Sequence, residues 1–365
     1  MAILDSPRTP QSGGPSLKAA ATRVARLLAT PLVPSDYLDL FSPLQSPAQL
    51  RARIVEVRPE TRDAATLVLK PGRGWRDHVA GQYVRIGVDV DGVRQWRAYS
   101  TTEPPRADGC ITVTVKAIAD GVVSNHLVRR SRPGQILQLD QATGDFVLPQ
   151  QRPAKALFLT AGSGITPVMG MLRDGLDSLD DAVLVHCAPT RDDVIFGGEL
   201  RRLAETSGLQ LIERHDDIHG MLQVEQLDQL VPDLAERETW VCGPTGMLDA
   251  AEAHWSAKGI IDRLHTERFR PLVVVAGEGG TVNFGTSNIS VEADGATPIL
   301  TAGEAAGVLM PSGCRMGICM GCVVPLREGV VRDLRTGDLT TAAEGDGVKI
   351  QTCINAAAGA CHIDL

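Results

Sequence analysis

The stretch KALFLTAGSGITPVMGMLRDGL, residues 155–176, combines an apolar run, a glycine turn and a helical pattern. Two more apolar runs follow, AVLVHCAPTR (182–191) and LQLIERHDD (209–217), and the helical segment GGELRRLAETS (197–207) separates them. The segment TWVCGPTGMLDAAEAHWSAKG (239–259) repeats the order of strand, turn and helix. Strands that alternate with helices in this way predict a parallel, doubly wound α/β sheet.

Toward the N-terminus the pattern changes to short strands. Five β-rich runs, separated by Gly, Pro and Asp, begin at Arg51: RARIVEVRPE, DAATLVLKP, QYVRIGVDVDG, VRQWRAYSTT and CITVTVKAI. Strands at this spacing predict an antiparallel β-barrel, which we expect to close near DFVLP (145–149). Before the barrel, SLKAAATRVARLLAT (16–30) predicts a helix that Ser16 caps. That helix either packs on the barrel or touches a membrane or a partner protein.

Toward the C-terminus, cysteines crowd into PSGCRMGICMGC (311–322). Four residues separate Cys314 from Cys319, two separate Cys319 from Cys322, and thirty separate Cys322 from Cys353. This is the plant-type ferredoxin spacing for a 2Fe-2S cluster, which needs four thiolates around a small volume. Zinc or free thiols are the alternatives, but structural zinc favours paired C-x2-C units or histidines, and no histidine lies near this loop. The four cysteines are therefore the expected cluster ligands.

The rest of residues 272–365 contains strand-like runs around this glycine-rich centre: VNFGTSNISVEAD, GVVRDLRT and VKIQTCI. TAGEAAGVLM (301–310) predicts a short helix. The sequence thus predicts a multidomain chain with an N-terminal extension, an antiparallel β-barrel, an α/β doubly wound domain and an α+β β-grasp ferredoxin domain. The expected boundaries are 1–50, 51–150, 151–271 and 272–365.

The turn TAGSGITP (160–167) follows a strand and opens a helix, a context that favours a nucleotide phosphate. An ordinary tight turn is the alternative, because Pro167 replaces the third glycine of the usual dinucleotide fingerprint. No acidic residue ends the second strand, and Arg191 there is suited to a 2′-phosphate, although Asp192 and Asp193 follow it. We therefore expect NADPH, with NADH as the alternative. Cys242 ends another strand and is either buried or close to the nicotinamide.

The barrel strand WRAYS (96–100) offers a second cofactor site. Alternation along the strand sends Arg97 and Tyr99 to one face, where they suit a phosphate and a flat ring, and Ser100 to the other face or onto a bend. Side chains that only cover a barrel face are the alternative. A hydride donor gives two electrons at once whereas a cluster accepts one, so a group that separates them is required. A flavin does this, and that requirement favours the cofactor interpretation.

Taken together, these motifs resemble the ferredoxin–NADP reductase superfamily, in its subgroup with a C-terminal plant-type 2Fe-2S ferredoxin domain. RAYS resembles the family's R-x-Y-S flavin motif, which implies that Arg97 holds the FAD phosphate, Tyr99 stacks on the isoalloxazine and Ser100 reaches flavin N5. FAD rather than FMN rests on this resemblance alone. GVVSN (121–125) resembles the second phosphate-contacting segment, which implicates Gly121, Val123 and Ser124.

The nucleotide motifs of the family match in the same order along the chain. AGSGITP resembles its G-x-G-x-x-P loop and CGP its Cys-Gly motif, and the resemblance assigns these residues to NAD(P)H: Gly162, Gly164, Thr166, Pro167, Cys242, Gly243 and Pro244. Glu267-Arg268-Phe269 resembles the segment at the flavin edge, which gives Glu267 a catalytic role beside Ser100 and Cys242. In plant-type enzymes an aromatic residue that ends the chain shields the flavin. Phe269 is internal here, a departure that puts its shielding role in doubt.

Composition and the N-terminal segment bear on location and partner. The net charge of −8 argues against a general nucleic-acid binder. No apolar run reaches the roughly 18 residues that span a bilayer, and MAILDSPRTPQSGG lacks a signal peptide's apolar stretch. We expect a cytoplasmic protein, associated with the inner face of the membrane through its partner. PLVPSDYLDLFSPL (31–44) resembles actinobacterial reductases that serve membrane acyl-CoA Δ9 desaturases.

The resemblance therefore implies an NADPH-dependent reductase that passes electrons through FAD and a 2Fe-2S cluster to a di-iron desaturase or monooxygenase. The alternatives are the reductase of an alkane, phenylacetyl-CoA or aromatic-ring oxygenase and, from another class, a redox-sensing regulator. The intact RAYS, GSGITP and four ligand cysteines argue against the regulator.

Overall fold

The computed structural model describes residues 43–45, 49–90, 92–119, 121–269, 276–313, 315, 317 and 320–365. The helix predicted over residues 16–30 lies outside the described residues, as do two of the four expected cluster ligands, Cys314 and Cys319.

The first unit is an antiparallel barrel, as predicted. Its elements are β1 (Arg51–Thr61), β2 (Ala64–Pro71), β3 (Tyr83–Val90), β4 (Val93–Ser100), β5 (Ile111–Lys116), α1 (Val122–Arg129) and β6 (Ile136–Leu139). The strand order is β4-β3-β6-β1-β2-β5, and a bridge between Thr101 and Val113 joins the two outer strands. Alternate side chains point inward and form a core of Val, Ile and Leu that includes Ile54, Leu67 and Ile86. The barrel is thus closed at the carboxyl end of β4, where Ser100 lies.

The barrel closes differently from the prediction. Residues 145–149, DFVLP, form no strand, and β6 supplies the pairing between β1 and β3 instead. Phe146 and Leu148 are nevertheless buried, in the core of the second unit. The apolar residues of DFVLP therefore pack against the second unit and do not form a strand of the barrel.

The second unit is the predicted parallel, doubly wound sheet. Its elements are β7 (Lys155–Ala161), α2 (Ile165–Gly175), β8 (Asp181–Ala188), α3 (Gly197–Thr206), β9 (Gln210–His215), α4 (Asp216–His219), α5 (Leu227–Leu230), β10 (Glu238–Cys242), α6 (Thr245–Ala257) and β11 (Leu264–Glu267). The order is β11-β10-β7-β8-β9, and every pairing is parallel. Phe158 of β7 packs on the face of α2 and α3, while Leu157 and Leu159 pack on the face of α5 and α6.

The third unit is a mixed sheet with one described helix, consistent with the predicted β-grasp. Its elements are β12 (Gly280–Phe284), β13 (Ile289–Ala293), α7 (Ile299–Ala305), β14 (Val323–Asp333), β15 (Leu339–Ala342), β16 (Lys349–Gln351) and β17 (Asn355–Ile363). The order is β13-β12-β17-β14-β15, and β16 pairs with β14. The central strand β17 pairs in parallel with β12 and antiparallel with β14.

The first two units meet along α2. The guanidinium of Arg173 donates to the carbonyl of Thr102 at 2.6 Å and pairs with Glu199 on α3 at 2.6 Å. A Cβ at Gly170 would lie 2.7 Å from the carbonyl oxygen of Thr101, so the helix backbone touches the chain just after β4. These contacts place the end of the RAYS strand against the helix that the glycine turn begins.

None of the helices in the described ranges has the length and apolar character that crossing a bilayer requires.

Candidate functional site

The two glycine turns of the parallel sheet touch each other. A Cβ at Gly164 would lie 2.0 Å from the carbonyl oxygen of Cys242, so only glycine permits this approach. A Cβ at Gly243 would lie 3.3 Å from the Cβ of Ala161. Pro244 then caps α6 in an extended conformation. The turns predicted to hold the pyrophosphate and the nicotinamide therefore form one surface at the carboxyl ends of β7 and β10, where ligands bind in open α/β sheets.

Helix α2, which follows the turn at Gly164, begins with two residues that stabilise the conformation of its first turn. The hydroxyl of Thr166 donates to the carbonyl of Ser163 at 2.9 Å, and Pro167 lies in the first turn of α2, where its missing N–H costs little. Both side chains are buried. They shape the turn, and the main-chain N–H groups before them are the groups suited to a phosphate.

Glu267 and Cys242 lie side by side at the end of the sheet, because β11 and β10 pair them in register. Burial raises the pKa of the Glu267 carboxyl to about 8, and its Oε2 atom has no hydrogen-bond partner within the described structure. Burial, with a smaller contribution from Glu267, raises the pKa of the Cys242 thiol well above its usual value. Cys242 is fully buried, so its side chain packs beneath the surface on which we expect the nicotinamide to bind. A buried carboxyl near neutrality is suited to holding a proton.

Arg97 and Tyr99 on β4 share a face with Ile86 and Val84, their partners on β3. Arg97 donates to the carbonyl of Trp96 at 2.8 Å and weakly to Gln95, and it joins no ion pair among the described side chains. Burial, and repulsion from Arg315 next, lower the pKa of Arg97 to about 10. A partly buried guanidinium without a carboxylate fits an anionic ligand.

Two other groups on the barrel also fit a cofactor. Ser100 is buried, and its Oγ atom has no hydrogen-bond partner in the part of the chain described. Burial raises the pKa of the Tyr99 phenol, which keeps the ring neutral. The aromatic ring beside Arg97 is suited to stacking on a flat group, and Ser100 leaves a hydroxyl to hydrogen-bond it.

The segment after β5 folds tightly into α1. Ser124 accepts from the amide of Ile118 at 3.3 Å and donates to the carbonyl of Gly121 at 3.2 Å. No side chain among the described residues caps α1, which leaves its first N–H groups suited to an anionic ligand. Val123 is buried in the barrel core, and only its main chain is therefore suited to phosphate. The roles of Gly121, Val123 and Ser124 stay predictions, with a structural basis in this uncapped helix start.

Of the two acidic residues that follow Arg191, Asp193 already has other partners. Asp193 accepts from the hydroxyl of Thr190 at 2.8 Å and pairs with Arg62 at 3.2 Å. Arg191 itself is exposed and lines a surface depression of about 350 Å³ together with Arg201. Asp193 therefore does not neutralise Arg191, which removes part of the sequence-based objection to a 2′-phosphate there.

Phe269 follows β11 and its side chain is 38% exposed. The preceding Arg268 pairs with Asp249 and Glu252 on α6 at 2.7 and 2.8 Å, which fixes the chain close to this point. A large exposed aromatic ring beside Glu267 is consistent with a flavin-edge position, and its shielding role stays a prediction.

The two expected cluster ligands that the structure describes, Cys322 and Cys353, are both buried. The amide and the hydroxyl of Thr352 each donate to the carbonyl of Cys322 at 3.1 Å, which ties the two cysteine segments together. Arg315, Gly317 and Met320 of the loop all have positive φ, at 61°, 76° and 57°. Residues in this left-handed conformation are typical of main-chain turns that bind anionic groups such as an iron-sulfur cluster.

Sequence reasoning missed three polar residues of the parallel sheet: Thr160, His186 and Glu213. They lie level with Cys242 across neighbouring strands. Only their position at strand ends was visible in the sequence, because the register between strands is set by the fold.

Comparisons with known proteins find three family models that match successive parts of the chain. Family models for the oxidoreductase FAD-binding domain, the oxidoreductase NAD-binding domain and the 2Fe-2S iron-sulfur cluster binding domain match residues 52–148, 158–253 and 282–358. An NADPH oxidoreductase from Mycobacterium tuberculosis is 50% identical over 95% of this chain and 92% of its own length. The ferredoxin reductase component of 3-ketosteroid-9-alpha-monooxygenase from Mycolicibacterium smegmatis is 31% identical over 77% of this chain and 87% of its own.

Among solved structures, phthalate dioxygenase reductase has a similar fold. It superposes with a TM-score of 0.56 at 20% identity and covers 86% of this chain and 97% of its own. At this identity the likeness supports the fold.

Proposed function

The chain belongs to the ferredoxin reductase family in which FAD-binding and NAD-binding domains precede a 2Fe-2S domain, and from this we propose that it supplies electrons from NADPH to a membrane acyl-CoA desaturase. It is an NAD(P)H-dependent oxidoreductase that uses FAD and a 2Fe-2S cluster. The proposal concerns the nucleotide, the residue roles and the recipient of the electrons.

The polar and aromatic side chains of the barrel and of β11 fit FAD, so we assign each of them a role. When bound, FAD takes up a hydride and the cluster carries one electron at a time, which side chains do not do. Arg97 binds the flavin phosphate and Tyr99 packs on the ring. Ser100 and Glu267 offer a hydroxyl and a carboxyl at the flavin edge, and the carboxyl holds a proton near neutral pH.

The glycine turns position the dinucleotide. The contact between Gly164 and Cys242 brings the pyrophosphate turn and the nicotinamide turn together. One rigid surface therefore positions both the pyrophosphate and the nicotinamide of the dinucleotide. The engaged Asp193 leaves Arg191 with its charge available for a 2′-phosphate. This arrangement, and the name of the mycobacterial relative, favour NADPH over NADH.

The observation that carries the choice of recipient is the segment PLVPSDYLDLFSPL, which resembles reductases of membrane Δ9 desaturases. The acidic net charge of −8 also suits a partner whose cytoplasmic loops are rich in Lys and Arg, as those of membrane proteins are.

A reconstituted assay tests the proposal. Membranes that contain a Δ9 acyl-CoA desaturase receive stearoyl-CoA and NADPH, with and without this protein, and oleoyl-CoA is counted. We expect product only when the protein is present. NADPH oxidation without oleoyl-CoA would reject the desaturase as recipient.

The second candidate recipient is an oxygenase of the alkane, phenylacetyl-CoA or aromatic-ring class. The relatives named as reductase components of monooxygenases and a dioxygenase favour it. Deleting residues 1–45 distinguishes the two, because the deletion should harm turnover only if that segment docks on a membrane enzyme. Cytochrome c reduction by the same deletion variant is the control for an intact relay.

A further inference from the structure

A single row of polar side chains crosses the whole parallel sheet. The register pairs Glu267 with Cys242, Cys242 with Thr160, Thr160 with His186, and His186 with Glu213. Partners in register lie on the same face of a sheet, about 4.8 Å apart. The row therefore runs from the flavin edge at β11 to the outer strand β9.

The neighbouring row on the same face is different in character. Two residues earlier on each of the inner strands lie Trp240, Phe158 and Leu184, and Leu211 continues the row on β9. All four belong to the apolar core of α2 and α3 or pack against it. Burying a hydroxyl or an imidazole in that core instead of an apolar group costs free energy unless the group is hydrogen-bonded. A continuous polar row there calls for a functional explanation.

The middle of the row is connected by a short hydrogen bond. Thr160 Oγ1 lies 2.7 Å from His186 Nδ1, and both residues are fully buried. Burial lowers the pKa of His186 to about 4, so its ring is neutral and has one donor and one acceptor nitrogen. The other nitrogen, Nε2, has no hydrogen-bond partner among the described groups, and the residue paired in register with His186 on β9 is Glu213.

The far end of the row reaches the protein surface. Glu213 Oε2 lies 3.1 Å from His215 Nε2, and Arg201 pairs with the Glu213 carboxylate at 2.9 Å. The Glu213 side chain is 13% exposed and Arg201 lines the open depression beside α3. These groups connect the buried row to water.

The chemistry of the reductase creates a need for such a connection. NADPH oxidised by two one-electron acceptors gives NADP⁺, two reduced acceptors and one proton. The hydride carries both electrons, and the proton remains when they have left singly. Glu267 is suited to receive that proton, but a nicotinamide bound over Cys242 and Glu267 would separate the carboxyl from solvent.

We propose that the row Glu267–Cys242–Thr160–His186–Glu213 conducts this proton from the flavin edge to the surface at β9. The proposal rests on the roles given above to Glu267 and Cys242. A thiol, a hydroxyl and a neutral imidazole can each accept a proton on one side and donate one on the other. Each hop breaks one S–H, O–H or N–H bond and forms the next, so one proton moves and no charge stays in the core.

Two variants interrupt the row without adding charge, Thr160→Val and His186→Gln. Thr239→Val is the matched control, because Thr239 is also fully buried and lies on β10 three residues before Cys242, facing the opposite side of the sheet. The holoenzyme is reduced with NADPH and mixed with ferricyanide in weakly buffered solution containing a pH indicator. Stopped-flow absorbance then follows flavin reoxidation and proton release in the same sample.

We expect proton release to fall behind flavin reoxidation by about 100-fold or more in both row variants, the size of a lost proton-transfer group. The two rates should stay equal in the wild type and in Thr239→Val. Proton release that keeps pace in both row variants would overturn the proposal. An equal delay in Thr239→Val would also overturn it, because the delay would then reflect packing.

A second measurement needs no turnover. The Cys242 thiol is fully buried, so its S–H proton exchanges with D₂O quickly only if a proton path reaches it. Infrared absorption of the S–H stretch, assigned by comparison with Cys242→Ser, follows this exchange in the oxidised holoenzyme. Slower exchange in Thr160→Val than in Thr239→Val is expected, and equal rates would reject the path. Neither measurement involves the desaturase, so a wrong recipient leaves both results intact.

Discussion

At the scale of single residues, burial decides which groups carry unusual protonation. The pKa of Glu267 rises from 4.5 to about 8 on folding, because its carboxyl leaves water without gaining a charged partner. The folded state thus binds this proton more tightly than the unfolded state does. The contribution of this proton to the stability of the folded state is fully present below about pH 4.5 and is lost as the pH rises through about 8.

The isosteric change Glu267→Gln removes this ionisation. We expect the wild type to lose stability relative to Glu267→Gln between pH 5 and 8, since only the wild type must ionise a buried group in that range. Thermal unfolding of both proteins at several pH values measures the difference. A difference in Tm that does not change with pH would contradict the assignment.

Arg97 is expected to hold FAD through its charge. Replacing Arg97 by Ala should weaken FAD binding by about 10- to 100-fold, the value of a charge-assisted hydrogen bond. Arg94→Ala on the same strand is the control, because Arg94 pairs with Asp89 at the surface. Flavin fluorescence on titration of the FAD-free proteins reports both affinities, and equal losses would argue against a specific phosphate contact.

At the scale of elements, the contact between the two glycine turns is the most sensitive feature of the nucleotide site. A methyl group at Gly164 would collide with the carbonyl of Cys242, so Gly164→Ala should cost ~1–3 kcal/mol of stability and raise the KM for NADPH. Gly198→Ala is the control, since a Cβ there meets open space at the start of α3. Urea unfolding and NADPH kinetics of the two variants test this, and similar behaviour would count against the close approach.

The cysteine loop gives a second prediction for an element. Cys322→Ser should remove iron from the protein, because a hydroxyl replaces a thiolate ligand. Cys361→Ser should retain the iron, since Cys361 is buried in the sheet outside the four-cysteine pattern, where burial raises its thiol pKa to about 11. Iron analysis of the purified variants decides, and iron loss in both would mean that any core change in this domain releases the cluster.

How far the sequence predicts elements depends on side-chain composition. The barrel strands are rich in Val, Ile and Thr, and all five predicted runs became strands β1 to β5. The strand β17, NAAAGACHI, was missed because Ala and Gly are poor strand formers on their own. It is nevertheless central in its sheet, where small side chains fit between β12 and β14 and tertiary packing overrides local preference.

At the scale of the whole molecule, Arg173 links the barrel to the parallel sheet. It contacts the carbonyl of Thr102, two residues beyond Ser100, and Glu199 on α3. Arg173→Met should leave both domains folded but slow hydride transfer about tenfold, because small displacements of the reacting groups are costly. Arg202→Met, exposed on α3, is the control. Stopped-flow bleaching of the flavin by NADPH measures the step, and unchanged rates would show that other contacts hold the domains.

The sequence predicts those parts of the candidate site that are formed by short continuous motifs. RAYS, AGSGITP and the cysteine loop are short, and sequence alone named them. The row that joins Thr160 to His186 depends on strands 26 residues apart meeting in register, as their hydrogen bond requires. The engagement of Asp193 by Arg62 likewise joins two domains. Such pairings follow from the assembled fold rather than from any one segment.

The central position of β17 has a consequence for how the protein is made. Domains fold largely in the order in which they leave the ribosome, so the barrel and the parallel sheet can form while the last sheet still lacks its middle strand. Cys353 lies two residues before the first residue of that strand. We therefore expect chains stalled before β17 to be iron-free flavoproteins that oxidise NADPH and release the electrons to oxygen. Superoxide formation by ribosome-arrested chains of graded length would measure this, and an onset of iron binding before β17 emerges would contradict it.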